Sequence, residues 1–175
     1  MKTTKSMVIL AAALLTAGGL VSCGEEPSTQ PTTSEVTVDT TEIVAVATKL
    51  GKTLVEESVT DVALKAEESS KYVLEKKTVK FEEDETEYFY FMLKSAQGFS
   101  GTVTFTTIIE GDKAIAYNFV KGNEDNIGLE AAKKVEITAE KPYTKGAAVE
   151  SGASAGMTLP AIGKALDCAL EEASK

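Results

Sequence analysis

Two lysines, Lys2 and Lys5, open the chain, and an apolar run of mostly small residues follows from Met7 to Val21. The run falls short of the roughly 20 residues a helix needs to cross a bilayer, so residues 1–22 read as a removable export signal. From Glu25 to Thr41 the pattern turns to Ser, Thr, Pro and Glu with almost nothing to bury. Residues 23–41 are therefore expected to form an extended polar tether, with a single folded domain over 42–175. Val46, Leu50, Leu54 and Val55 fall at helical spacing and predict a helix from Glu42 to about Val62.

Residues 62–120 read as an antiparallel meander. One strand runs from Tyr72 to Phe81, the acidic run Glu82 to Glu85 turns the chain, and Glu87 to Ser95 returns. Gly98 and Gly101 bracket a bend. Thr102 to Ile109 alternates, with Val103, Phe105, Thr107 and Ile109 on one face. The turn Glu110-Gly111-Asp112-Lys113 leads to Ala114–Val120, with Ile115, Tyr117 and Phe119 expected inward. A short helix over Leu129–Val135, a strand over Glu136–Ala139 and a loop over Pro142–Gly146 follow. In the last helix Thr158 can cap, Pro160 suits the first turn, and Ile162, Ala165, Leu166, Ala169 and Leu170 form one apolar stripe. Glu171 and Glu172 there read as an exposed, mildly unfavourable pair at the negative end of the helix dipole. The fold class is α+β, a small antiparallel sheet with packed helices.

Composition narrows the chemistry. All 18 basic residues are Lys, and the chain contains no Arg, His or Trp. No Ser-His-Asp or Cys-His nucleophile and no His-ligated metal site can be built, and no guanidinium fork can grip a phosphate. A net charge of −9 argues against nucleic acid as a partner. The acidic run 82–85 lacks the interleaved glycine and ligand spacing of a calcium loop, so a solvated turn is the reading. Neither a P-loop nor a dinucleotide-binding glycine motif occurs.

Leu20-Val21-Ser22-Cys23, followed by Gly24, resembles the bacterial lipobox, in which the Cys thiol is lipidated and becomes the new N-terminus. Removing 22 residues, two lysines among them, takes the net charge from −9 to −11. Cys168, expected half-buried and inert in the last helix, is then the remaining thiol, which rules out an intrachain disulfide. Lipid, spacer and folded body together imply a protein held at the extracytoplasmic face of a cell membrane without spanning it.

One segment stands out: Ser151-Gly152-Ala153-Ser154-Ala155-Gly156-Met157-Thr158, just before the last helix. Five of the eight are Gly, Ala or Met and three carry hydroxyls. Small residues ahead of a helix N-terminus allow a phosphate to approach free N–H groups and the positive dipole end. A plain glycine-rich loop leading into a capped helix accounts for the same letters.

The run Gln97-Gly98-Phe99-Ser100-Gly101-Thr102-Val103-Thr104-Phe105, the turn Glu110 to Lys113, Ile115 and Val120, and the terminal Ser151-Gly152-Ala153-Ser154 resemble the FMN-binding domain family. Its members include the G subunit of Rnf complexes, the C subunit of sodium-pumping NADH:quinone reductases and flavin-carrying lipoproteins of electron export. Glu124, Gly128 and Leu129 stand in for part of the family's middle motif. The resemblance implies bound FMN, with Ser154 as the hydroxyl a flavin transferase esterifies to the FMN phosphate. It further implies Ser151, Gly152, Ala153 and Thr158 around that phosphate, Thr158 as a second acceptor, and Glu124 as a flavin contact. Phe99, Tyr117 and Phe119 are possible ring neighbours, core packing being the other explanation.

On this reading the protein is an electron carrier more than a turnover enzyme, served by a membrane reductase or redox partner. The chain departs from the family pattern at Ala148, where an acid is usual, and at Gly156 and Met157, where hydroxyls are usual. Those departures favour the alternative, a flavin-free envelope lipoprotein that serves as a binding or assembly module. A secreted hydrolase ranks third, because no nucleophile has a visible base.

Overall fold

The computed structural model describes residues 39–82 and 84–174, all within one compact unit of residues 37–175. The export signal, Cys23 and the tether up to residue 38 lie outside the described residues. Helix α1 spans Thr41–Lys49, one residue before the expected domain start, and is far shorter than its pattern suggested. Gly51, at φ +67°, takes the left-handed conformation that Gly adopts without steric cost and turns the chain out of the helix. Leu54 accordingly leaves the helix and forms a bridge with Phe81.

The sheet is an antiparallel meander of six strands in sequence order. Strands β1 (Thr60–Asp61), β2 (Val73–Val79), β3 (Tyr88–Lys94), β4 (Val103–Glu110), β5 (Lys113–Gly122) and β6 (Tyr143–Thr144) each pair with the next. Helices α2 (Asn126–Lys133) and α3 (Thr158–Ala173) complete the α+β fold. The edges are closed by the two-residue strands β1 and β6, which leave little unpaired backbone to template aggregation. Residues Pro142–Gly146, read as loop, thus contain β6, whereas 136–139, read as strand, carry no ladder: Thr138 and Lys141 exchange backbone bonds in a turn.

Both faces of the sheet are covered. Phe91, Leu93, Phe105 and Ile109 pack with Ile162, Ala165, Leu166, Ala169 and Leu170 of α3, while Tyr90, Ile108 and Ala116 pack with Ile43, Val46 and Ala47 of α1. Every residue of β4 from Val103 to Ile109 is therefore buried. A bulge explains the one misassigned face. Ile109 pairs with Ala114 but Ile108 with Ala116, so Ile115 is an extra residue that stays with Ala116 on the α1 side. Tyr117 faces α3 and stacks on Phe105 at 5.0 Å between ring centroids.

The acidic pair at the end of α3 splits. Glu171 is exposed and pairs with Lys145 at 2.6 Å. Glu172 is 1% exposed, contrary to the reading of a solvated penalty. Its carboxylate accepts from the Lys65 amide at 3.0 Å, the Ala66 amide at 3.1 Å and the Ser69 hydroxyl at 2.6 Å. The buried Lys76 ammonium donates to the Glu172 carboxylate at 3.3 Å and to its backbone carbonyl at 2.9 Å, and sits 5.4 Å from the Phe89 ring centre. A cation thus meets the negative end of α3 while its partner carboxylate orders residues 65–69. Burial pushes the Glu172 carboxyl up, but the Ser69, Lys65, Ala66 and Lys76 donors outweigh it and hold it at about 2, against an ordinary 4.5.

A carboxyl held low in the fold stabilises fully above pH 4.5, and that contribution is lost as pH falls toward 2. Lys76→Met leaves the Glu172 charge buried without its cation and is expected to cost about 3–5 kcal/mol in urea unfolding. Glu172→Gln is expected to flatten the acid limb of stability between pH 4.5 and 2. An unchanged acid limb in that variant contradicts the assignment.

Candidate functional site

The site is organised by Glu124, between β5 and α2, which is 6% exposed. One carboxylate oxygen accepts from the Phe99 amide and from the Thr158 hydroxyl at 2.9 Å. The other accepts from the Ser100 amide at 3.0 Å, the Ser100 hydroxyl at 3.3 Å and the Gly101 amide. One side chain thereby ties the bend before β4, the entry to α2 and the first residue of α3. Burial pushes its carboxyl up; the Thr158 hydroxyl and the Phe99, Ser100 and Gly101 amides outweigh that and hold it below its ordinary value. The cluster is packed so closely that a Cβ at Gly98 or Gly128 would collide with the Glu124 side chain, and Gly128 also lies against Thr158. Asp125 caps α2 by accepting the Gly128 amide at 2.7 Å, which starts that helix earlier than the apolar pattern alone indicated.

The three hydroxyls of the segment 151–158 have separate fates. Ser151 Oγ donates to the Ala131 carbonyl at 2.7 Å and accepts the Ala153 amide at 3.2 Å. Thr158 is buried and donates to Glu124, so it does not cap α3; Met157 occupies the cap position without a side-chain bond. Ser154 is exposed and its hydroxyl makes no hydrogen bond among the described residues. Gly152 bonds its amide to the Lys134 carbonyl at 3.0 Å, which together with the Ser151–Val135 bridge anchors the segment to the end of α2.

The amides of residues 154–158 make no hydrogen bond among the described residues, whereas those further into α3 are partly taken. Leu159 donates to the Ala155 carbonyl at 3.3 Å, Ala161 donates to the Met157 carbonyl at 3.2 Å, and Pro160 has no N–H to offer. The loop also supplies a low crest, Ala155-Gly156, between two cavities. One, of about 550 Å³, is lined by Ser154, Tyr143, Val149, Pro160, Lys164 and Asp167, among others. The other, of about 300 Å³, is lined by Phe99, Asp125, Ile127, Gly128, Met157 and Thr158 with the crest.

Phe99, Ile127 and Met157 are 70%, 65% and 54% exposed, three of the five exposed large apolar residues among those described. They come from separate segments of the chain and line one 300 Å³ cavity. Such a cluster marks a binding surface better than scattered singles do. Ile127 and Met157 carry no periodic pattern that could have placed them here from sequence; only their position beside helix starts hints at it. Of the three aromatics considered as ring neighbours, Phe99 lies at this cavity, Tyr117 lies in the core, and Phe119 is half-buried with the Lys133 ammonium 5.6 Å from its centre.

The acidic turn is committed elsewhere: Asp84 accepts from Lys52, from the Tyr88 hydroxyl at 2.7 Å and from the Thr86 amide at 2.9 Å. Among the described residues no cluster of three Cys, Asp or Glu side chains is arranged to hold a metal, and no helix is long and apolar enough to cross a membrane. Comparison with protein-family models, with curated proteins and with solved structures finds no match to this chain.

Glu124→Ala is expected to destabilise the domain by about 2–3 kcal/mol, since it strands several inward-pointing donors. Amide exchange at Phe99, Ser100 and Gly101 should accelerate more than exchange in β3, and the wild-type protection factors there, corrected for the intrinsic exchange rate at each pH, should fall as pH drops below the ordinary carboxyl range. Uniform acceleration across the sheet would show that Glu124 is not a local clamp.

Proposed function

We propose that the protein is a membrane-tethered extracytoplasmic lipoprotein that carries FMN, esterified through its phosphate at Ser154, and relays electrons between a membrane reductase and an acceptor. The observation that carries this reading is the pairing of one unengaged hydroxyl, Ser154, with an open apolar cavity across the crest Ala155-Gly156. The residues fit the group. A planar apolar ring system suits the Phe99, Ile127 and Met157 surfaces, a polar chain can cross the crest, where a Cβ at Gly156 would meet nothing within 4 Å, and the phosphate end reaches Ser154. The 300 Å³ cavity lies at the lower end of ordinary ligand sites, about 300–1,000 Å³.

When bound, the isoalloxazine ring supplies the electron chemistry. The chain's own residues supply place and access. Ser154 offers the oxygen for a phosphoester, and its small neighbours leave room for a transferase to reach it. Ser151 and Thr158 are unsuited as acceptors because their hydroxyls hold the loop and Glu124. Glu124 acts as a positioning residue: it sets Phe99 and the entry of α2 against the start of α3 and turns its own carboxylate inward. The exposure of Phe99, Ile127 and Met157 leaves one side of the seat open to a redox partner.

A second reading, the flavin-free binding or assembly module, draws on the same exposed trio, which also suits an apolar segment of a partner protein. Intact mass separates the two. Produced in an exporting host with a flavin transferase, the chain is expected to gain one FMN unit; Ser154→Ala should abolish the gain and Ser151→Ala should retain it. A gain that survives in Ser154→Ala moves the ester to another hydroxyl. No gain and no flavin fluorescence in the wild-type chain would leave the module reading standing.

A further inference from the structure

The cavity that holds Ser154 is lined by two charged side chains one turn apart on α3, Lys164 and Asp167. They are not equivalent. The Asp167 carboxylate is committed, accepting from the Tyr143 hydroxyl and the Gly146 amide, both at 2.8 Å. Nearby Lys145 is paired with Glu171 at 2.6 Å. Lys164 is exposed and makes no ion pair or hydrogen bond among the described residues. In a chain of net charge −9 it is an uncompensated cation on the wall of a cavity, facing the same space as an unengaged serine.

Lys164 and Ser154 both line that one cavity. Every Cα–Cβ bond of a helix tilts toward its N-terminus, so the Lys164 stem runs back toward Pro160 and the loop before α3. A four-carbon stem ending in a compact ammonium suits a point contact with a phosphate and needs no fixed fork. In α3 itself Leu159 and Ala161 donate to the loop and Pro160 has no N–H, while the amides of residues 154–158 make no hydrogen bond among the described residues. Those amides carry no net charge to meet a phosphate at Ser154, and among the described residues Lys164 is the one cation lining that cavity.

We infer that Lys164 supplies the charge that holds the phosphate of a flavin mononucleotide at this site, as a monoester when it is bound noncovalently and as a diester once it is joined to Ser154. The inference rests on the flavin reading above, and it gives the site a polarity: phosphate end in the 550 Å³ cavity, ring end in the 300 Å³ cavity.

The test uses the full chain produced without a flavin transferase, titrated with FMN and, separately, with riboflavin, which has the same ring and no phosphate. Lys164→Gln is expected to weaken FMN about tenfold, to leave riboflavin unchanged, and to flatten the salt dependence of FMN binding. Lys164→Arg should restore both affinity and salt dependence. If FMN binds Lys164→Gln as tightly as wild type, the phosphate is held elsewhere and the inference falls while the flavin reading stands. If wild type binds neither flavin, the flavin reading itself falls, and the role of Lys164 with it. Lys164 is exposed on α3 and outside the buried stripe, so the substitution tests charge without unfolding the domain.

Discussion

A buried carboxylate, with no cation beside it among the described residues, organises the end of the molecule where α2 and α3 begin. Glu124 is solvated by three backbone amides and two hydroxyls, and its charge is what makes those bonds strong. The arrangement converts three segments distant in sequence into one wall. Phe99 rides on the bend that the carboxylate holds, Ile127 follows on the helix that begins just after it, and Met157 precedes the threonine that donates to it. The same carboxylate thereby links the segments that carry all three apolar side chains around one cavity. The two glycines pressed against it, Gly98 and Gly128, are consequences of the same constraint.

The opposite end of α3 is fastened by a different device. Lys76 reaches from β2 to the last turn of the helix and meets both the Glu172 carboxylate and the Glu172 carbonyl. With the apolar stripe between them, Glu124 and Glu172 hold the two ends of one helix against one face of the sheet. Neither bond touches a ligand, yet together they decide where the loop before α3 stands. The crest Ala155-Gly156 and the Ser154 hydroxyl carry no such fastening among the described residues.

The sheet and the last helix were legible because their patterns are local. Alternation in Thr102–Ile109, the Glu110–Lys113 turn and the stripe Ile162 to Leu170 each report on near neighbours. The expected strand over Glu87–Ser95 is β3, packed between α1 and α3. What local pattern could not reveal were events decided by a distant partner. The bulge at Ile115 depends on its register with β4, the short α1 on a glycine turn, and the burial of Glu172 on a lysine 96 residues away. The site divides in the same way. Small residues and hydroxyls singled out the segment before α3, and the family resemblance pointed within it to Ser154, whereas Ile127, Met157 and Lys164 take their place from two cavities assembled by the fold.

On the proposed reading, one ligand spans the crest between the two cavities. Following backbone amide shifts of the full chain during an FMN titration tests it most directly. The account predicts the largest shifts at Phe99, Ile127, Ser154 to Met157 and Lys164, with the α1 face of the sheet unmoved. Shifts confined to the α1 face, or none at saturating FMN, would contradict it.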